Sequence, residues 1–417
     1  MDSMISRMNN LFELSQSKYF KLIARVFALL VFLVLSLNLI RYPFKITWDG
    51  LAYLGSISKL EGHSVTEIHN FAYHQAQMND SANYYATLIG DPQYYASHPV
   101  NATAKTGYVH YRRATYLDPI AFYQQIPFYS SRRGYFASLE TLHSFGISWF
   151  QAMRLNMVVP DILILGLAFG TAAFSFDAIG IIIFTFLIAF LNLYKGTPNH
   201  STPDALGLLF ELVSYGLLAC RRWIVLSLVF AAISTVIRPD SLLLVFSIAG
   251  FAFIYYKDLI KAEKIKICLI ALLSLLYVYI IQKLSHTYPM QTLFYKSFVH
   301  EMAYPIINHK GITLTFYFKQ LFTQMFQFVR SMRYEALMIV LLIIFYVRGS
   351  KEYRWTSLPL AVGLLTALVH YLVFPAYDDR YFDSVRVSLL VTFALIYSQW
   401  WQEGTRFIKP SAERLRA

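Results

Sequence analysis

Four short stretches of this sequence hold carboxylates and cationic side chains close together. Ile46-Thr47-Trp48-Asp49-Gly50 is followed by Tyr53, and Lys195-Gly196-Thr197-Pro198-Asn199-His200 leads to Asp204. Ile237-Arg238-Pro239-Asp240-Ser241 sets an arginine two residues from an aspartate, and Asp378-Asp379-Arg380-Tyr381-Phe382-Asp383 surrounds an arginine with acids. These residue types suit a definite chemistry. A carboxylate accepts the proton of a hydroxyl as that hydroxyl attacks an electrophile. A guanidinium fork matches phosphate oxygens and offsets the charge that develops on a departing phosphate.

The elements that position these residues follow from composition. Of 417 residues, 57% are apolar and 14% charged, against roughly 25% charged in a soluble domain. The 34 Phe and 31 Tyr point to wide contact with lipid and its interface, so an all-α polytopic membrane protein is expected. Ten apolar runs are long enough, or nearly so, to be spans, at about 22–41, 157–176, 178–194, 204–219, 223–237, 240–256, 266–282, 336–347, 357–374 and 384–400. The first ends in Asn38-Leu39-Ile40-Arg41 with no small-residue cleavage site, which marks a retained signal-anchor. Cys220 and Cys268 form no disulfide framework or zinc pattern and read as embedded thiols.

Charge sets the direction. The net charge of +12 comes from basic clusters between apolar runs, not from a stripe suited to nucleic acid. Arg7, Lys18, Lys21, Arg25, Arg221, Arg222, Lys257, Lys261, Lys264, Arg348, Lys351, Arg406 and Lys409 fall on one side, whereas the short connections opposite hold only Lys195, Arg238 and Arg380. The positive-inside rule makes both termini cytoplasmic. The expected organisation is a cytoplasmic N-terminus (1–21), a first span (22–41), a periplasmic helical segment with a catalytic loop (42–156) and a transmembrane bundle (157–282). A periplasmic or interfacial segment (283–335), C-terminal spans (336–400) and a cytoplasmic tail (401–417) follow. Trp48, Leu51, Leu54 and Ile57, and again Leu314, Leu321, Phe322, Met325 and Val329, recur at helical spacing, predicting helices that lie along the interface. All four polar stretches then share the outer face, where an acid, arginines and a lipid-lined groove suit transfer of a sugar from a lipid phosphate. No G-x-x-x-x-G-K-[ST] loop argues for ATP-driven chemistry.

In this layout the chain resembles the GT-C superfamily of integral-membrane glycosyltransferases, which use polyprenyl-phosphate sugars and include protein mannosyltransferases, the aminoarabinose transferase of lipid A and arabinosyltransferases. Asp49 holds the place of the family's acidic residue after the first span. Pro127-Phe128-Tyr129 through Arg132-Arg133-Gly134-Tyr135, continuing to Ala152-Met153-Arg154-Leu155-Asn156, is similar to its outer segment. Thr202-Pro203-Asp204-Ala205-Leu206, Arg238-Pro239-Asp240 and Asp379-Arg380-Tyr381-Phe382 resemble further family elements. Many members carry a second acid beside the first, where Gly50 stands here.

The resemblance implies an inverting transfer at the periplasmic face of a bacterial inner membrane, with Asp49 as general base. Arg238 and Arg380, with Arg132 or Arg133, would hold the lipid phosphate, and Asp240, Asp379 and Tyr381 complete the binding set. His200 lies where it reaches the same phosphate. The donor would be a polyprenyl-phosphate sugar and the acceptor an envelope glycan, a lipid or a protein such as a pilin. No cofactor is implied; a divalent metal is compatible with the acids, but no two-histidine-plus-carboxylate spacing indicates one. Each residue also has a plainer reading. Asp49 and Asp204 stand where helix caps stand, Arg238-Pro239-Asp240 has the make-up of a tight turn, and Glu211, within the fourth span, pairs with a neighbour. A diphosphate-linked glycan polymerase or ligase, or a lipid or solute transporter, remain the alternative functions.

Overall fold

The computed structural model describes residues 17–79, 88–90, 106–190, 202–219, 221–256, 259–298, 303–305, 312–331, 336, 339–340, 357–375 and 383–414. Among these the chain is all-helical. The outer-layer helices are α2 (Trp48–Leu60), α3 (Val65–Asn79), α4 (Thr106–Leu117), α5 (Pro119–Tyr123) and α6 (Arg133–Ser144), preceded by α1 (Lys18–Arg41). The bundle comprises α7 (Trp149–Ser175), α8 (Ala178–Phe190), α9 (Asp204–Leu218), α10 (Ile224–Ile237), α11 (Leu242–Tyr255) and α12 (Lys261–Leu284). Then come α13 (Met290–Phe298), α14 (Leu314–Ser331), α15 (Leu358–Val373) and α16 (Asp383–Arg414).

Among the described residues three helices, α1, α7 and α12, are long and apolar enough to cross a membrane. Stretches 178–189, 224–237, 239–255 and 358–373 form shorter apolar helices. The sides of α1 and α12 that pack are narrow. In α12 only Ile267, Ala271, Ser274 and Val278 are buried, a spacing that returns to one face every turn. Leu269, Leu272, Leu276 and Ile280 around that face are exposed. In α1 Ala24, Ala28, Leu35 and Leu39 pack inward while Leu29, Leu33 and Leu37 face out. Apolar surface of this extent suits lipid rather than water.

The two longest early helices are tied at both ends. The Arg25 guanidinium donates to Ala173 O at 3.0 Å, in the last turn of α7, and Arg154 donates to Ile40 O, in the last turn of α1. The last carbonyls of a helix have no intrahelical partner and carry its negative end, so a cation satisfies both demands.

Two hydrophobic cores are stacked along α7. Leu35, Phe169, Phe184, Leu228, Ile248, Ile267 and Val387 belong to a bundle core. Trp48, Leu54, Ile68, Phe122, Tyr135, Trp149 and Met153 belong to the core of an outer layer built by α2 to α6. This corrects two expectations. The second long helix begins at Trp149, not 157, because its first turns pack into the outer layer. Trp48, Leu51, Leu54 and Ile57 do form a helical face, but all four are buried against protein, so α2 is a core helix of that layer rather than a lipid-facing one. In α14, by contrast, Leu314, Phe322 and Met325 are exposed as an interface helix would leave them. The helix at the C-terminus runs on through Arg414, into the region expected as a tail. Cys268 is exposed on α12; Cys220 and most of the expected span at 336–347 lie outside the described residues.

Candidate active site

The start of α2 forms one wall of a cavity. Thr47 is its N-cap, with the Gly50 amide donating to Thr47 Oγ1 at 3.3 Å, so the cap is not Asp49. Asp49 stands two positions further on, in the first turn, half-buried, and lines the cavity. Its charge is registered nearby: desolvation and then Asp49 push the Tyr129 phenol well above its ordinary pKa, leaving Tyr129 a neutral donor.

Arg132 enters from the turn before α6. That turn is pinned to the end of α12 by a reciprocal pair, in which Ser130 Oγ donates to Ser285 O and Ser285 Oγ donates to Ser130 O, both at 3.0 Å. Gly134 then lets α6 approach α10, since a Cβ there would lie 2.9 Å from the Val236 carbonyl oxygen. The Arg132 guanidinium sits 5.3 Å from the centre of the Tyr53 ring and 5.9 Å from that of Tyr129. Desolvation opposes its charge, but Tyr53, Asp49, Asp240 and Asp204 outweigh that and hold its pKa above the usual arginine value. Arg133 is directed elsewhere. It donates to Ser285 Oγ at 3.4 Å and is not part of the cavity lining, so the structure separates it from the site expected for it.

Arg238 and Asp240 come from the connection between α10 and α11. Arg238 is buried, with Nη1 3.2 Å from Asp204 Oδ1 and Nη2 2.7 Å from Asp240 Oδ2. Its stem crosses Gly207 of α9, where a Cβ would meet Arg238 Cδ at 2.7 Å. Asp204 is held from its other side by Thr202 Oγ1 at 2.5 Å. Beneath them the buried Glu211 accepts from Ser241 Oγ at 2.8 Å and Ser234 Oγ at 3.3 Å. Glu211 thus pairs with neighbours as expected, and those neighbours brace the turn that carries Arg238.

Asp49, Arg132, Asp204, Arg238 and Asp240 therefore converge on one cavity of about 500 Å³. Its remaining wall was not foreseen. Gln282 ends it on α12, His370 and Phe374 close it from α15, and Lys296 projects from α13. Lys296 is buried and donates to Gln125 Oε1 at 2.7 Å, with its ammonium 4.3 Å from the centre of the Phe128 ring. The only sign of it in sequence is a lone lysine in the aromatic run Leu293-Phe294-Tyr295-Lys296-Ser297-Phe298. His200, Asp379, Arg380 and Tyr381 lie outside the described residues. Among the described residues no group of three His, Cys, Asp or Glu side chains is arranged to hold a metal. No family model matches this chain, and neither does any curated protein or solved structure.

Proposed function

We propose that the protein is a membrane glycosyltransferase that moves one sugar from a polyprenyl-phosphate carrier to a hydroxyl of an envelope glycan, lipid or protein. The observation that carries this reading is the convergence of Asp49, Arg132, Arg238 and Asp240, from three separated stretches of chain, on one cavity at one end of an apolar helical bundle. A half-buried carboxylate at a helix start suits a base, and the neighbouring Arg132 suits the phosphate. Tyr53, Phe128 and Tyr129 make part of the lining aromatic.

In the mechanism, Asp49 takes the proton of the acceptor hydroxyl as its oxygen bonds to the anomeric carbon. The bond from that carbon to the phosphate oxygen breaks, and the phosphate leaves with the electron pair, stabilised by the cavity's cations. The finer topology belongs to this proposal as well: about ten spans, both termini cytoplasmic and the cavity on the periplasmic side of a bacterial inner membrane.

The test supplies purified protein in nanodiscs with a panel of polyprenyl-phosphate sugars and an envelope extract, and follows release of free polyprenyl phosphate by mass spectrometry. Release from one donor is expected, and Asp49→Asn should slow it by about 10²–10⁴-fold, keeping shape while removing the base. Near-normal turnover by Asp49→Asn would remove Asp49 from that role.

A further inference from the structure

The cavity that Asp49 lines has a neighbour. A second cavity of about 510 Å³ adjoins it at the end of α12, and Phe128, Ser131, Gln282 and Leu293 line both. The chain fixes the walls of this second chamber. His286 takes φ 50° and turns the chain back after α12, and Thr287 Oγ1 donates to Gln282 O at 3.2 Å. The Tyr288 hydroxyl reaches across to the outer layer and donates to Gln124 O at 3.0 Å. The reciprocal pair of Ser130 and Ser285 ties the same two walls together. The chamber is therefore formed before anything enters it, as small-molecule sites usually are.

Its lining and its position say what it takes. Ser131, Tyr279, Gln282, Lys283, Thr287 and Tyr288 bring hydroxyl, amide or ammonium groups to the wall. A hydrocarbon stem laid on them would remove their hydration and return no hydrogen bond. A sugar, by contrast, offers hydroxyls that both donate and accept. Lys283 is exposed, with its ammonium 5.8 Å from the centre of the Tyr279 ring, and its charge complements an anionic group on the same molecule. Beside this polar wall runs an apolar one. Leu276, Ile280 and Leu284 form an exposed row along α12, and Tyr279 and Lys283 each lie three residues beyond a member of it, on the adjoining face. A molecule with a polar head and an apolar tail meets both surfaces at once.

We infer that the second cavity is the acceptor site and that the acceptor is an anionic glycolipid, its sugar head in the chamber and its tail along α12. This rests on the proposed glycosyl transfer and narrows its acceptor to one class. A hydroxyl of the head enters the first cavity past Ser131 and Gln282. It gives its proton to Asp49 as its oxygen bonds to the anomeric carbon, and the carrier phosphate leaves with the electron pair.

The test divides an envelope extract into a lipid fraction and a delipidated protein fraction. Each is offered to nanodisc-held protein with the panel of polyprenyl-phosphate sugars, radiolabelled in the sugar, and both the label and free polyprenyl phosphate are followed. Label should enter lipid. Lys283→Gln should raise KM for the lipid acceptor roughly tenfold, the low end for a hydrogen bond to a charged group, and leave KM for the donor unchanged. Lys283→Arg should recover most of the loss, and Lys261→Gln, at the other end of α12, should change neither constant. Replacing the exposed Lys283 leaves the fold intact, and Thr287→Trp, which fills the chamber, should reproduce the acceptor defect. Label entering the protein fraction instead, or an unchanged acceptor KM in Lys283→Gln, overturns the acceptor assignment alone. No release of polyprenyl phosphate from any donor with either fraction overturns the transferase reading with it.

Discussion

Arg238 places one positive charge between two carboxylates, and the arrangement has an asymmetric energetic consequence. Making such a cluster contributes little net stability, because desolvation offsets most of the attraction, whereas removing the shared partner strands two acids in a poorly solvated place. Asp204 and Arg238 are buried, while the Asp240 side chain is 34% exposed and keeps part of its hydration. Arg238→Met should therefore destabilise the protein by about 3 kcal/mol, near the lower end for a broken buried pair. Thermal unfolding in detergent measures this, and Asp240→Asn added to Arg238→Met should return part of the loss. An unchanged midpoint in the single variant would mean that the acids are solvated or protonated without Arg238. At this scale the sequence supplied Asp49, Arg132, Arg238 and Asp240 through their types and neighbours. It did not distinguish Arg132 from Arg133, because adjacent residues look alike until a helix start sends them in different directions.

Among the elements, α6 comes against the backbone of α10. Gly134 permits it, and the contact is with backbone, the Val236 carbonyl, which cannot swing aside as a side-chain tip would. Gly134→Ala should force the helices apart and destabilise the protein by about 1–3 kcal/mol, the usual cost of overpacking. The same shift moves Arg132, two residues earlier, so its effect on turnover should exceed that of Gly146→Ala or other substitutions remote from the cavity. A stable Gly134→Ala variant of normal activity would show that α6 has slack. Helix existence was readable from apolar runs in the bundle, α10 included, whereas α6 carries no such run and was expected only as part of a helical segment over 42–156. The start of α7 was not readable, because helical periodicity continues unbroken while the surroundings change from outer layer to bundle. Nor was the environment of α2, since an amphipathic face looks the same whether lipid or protein covers it.

For the whole molecule, two stacked cores put the cavity at their junction, roofed by the outer layer and floored by the bundle. If the bundle spans a membrane with the charge asymmetry of its loops, the outer layer and the exposed arginine between α9 and α10 lie on opposite sides. In a cysteine-free background, Glu61→Cys should react with a membrane-impermeant maleimide in intact spheroplasts. Arg222→Cys should react only after permeabilisation, both positions being exposed. Equal labelling of the two before permeabilisation would refute this topology.

Composition alone determined that this chain is too apolar for an ordinary soluble domain, at 57% apolar and 14% charged residues, and the length of its apolar runs pointed to helices. Local spacing determined most helices, and charged residues at helix ends marked where chemistry would collect, since polar groups are costly within the bilayer. The tertiary structure decided which of those charges are spent on one another. Arg238 lies within reach of Asp204 only because α9 and α10 pack closely at Gly207, a contact between residues 31 apart that no local pattern encodes. Lys296 joins the cavity for the same kind of reason. Its hydrogen bond to Gln125 spans 171 residues, and only the folding of α13 onto the outer layer brings the two together.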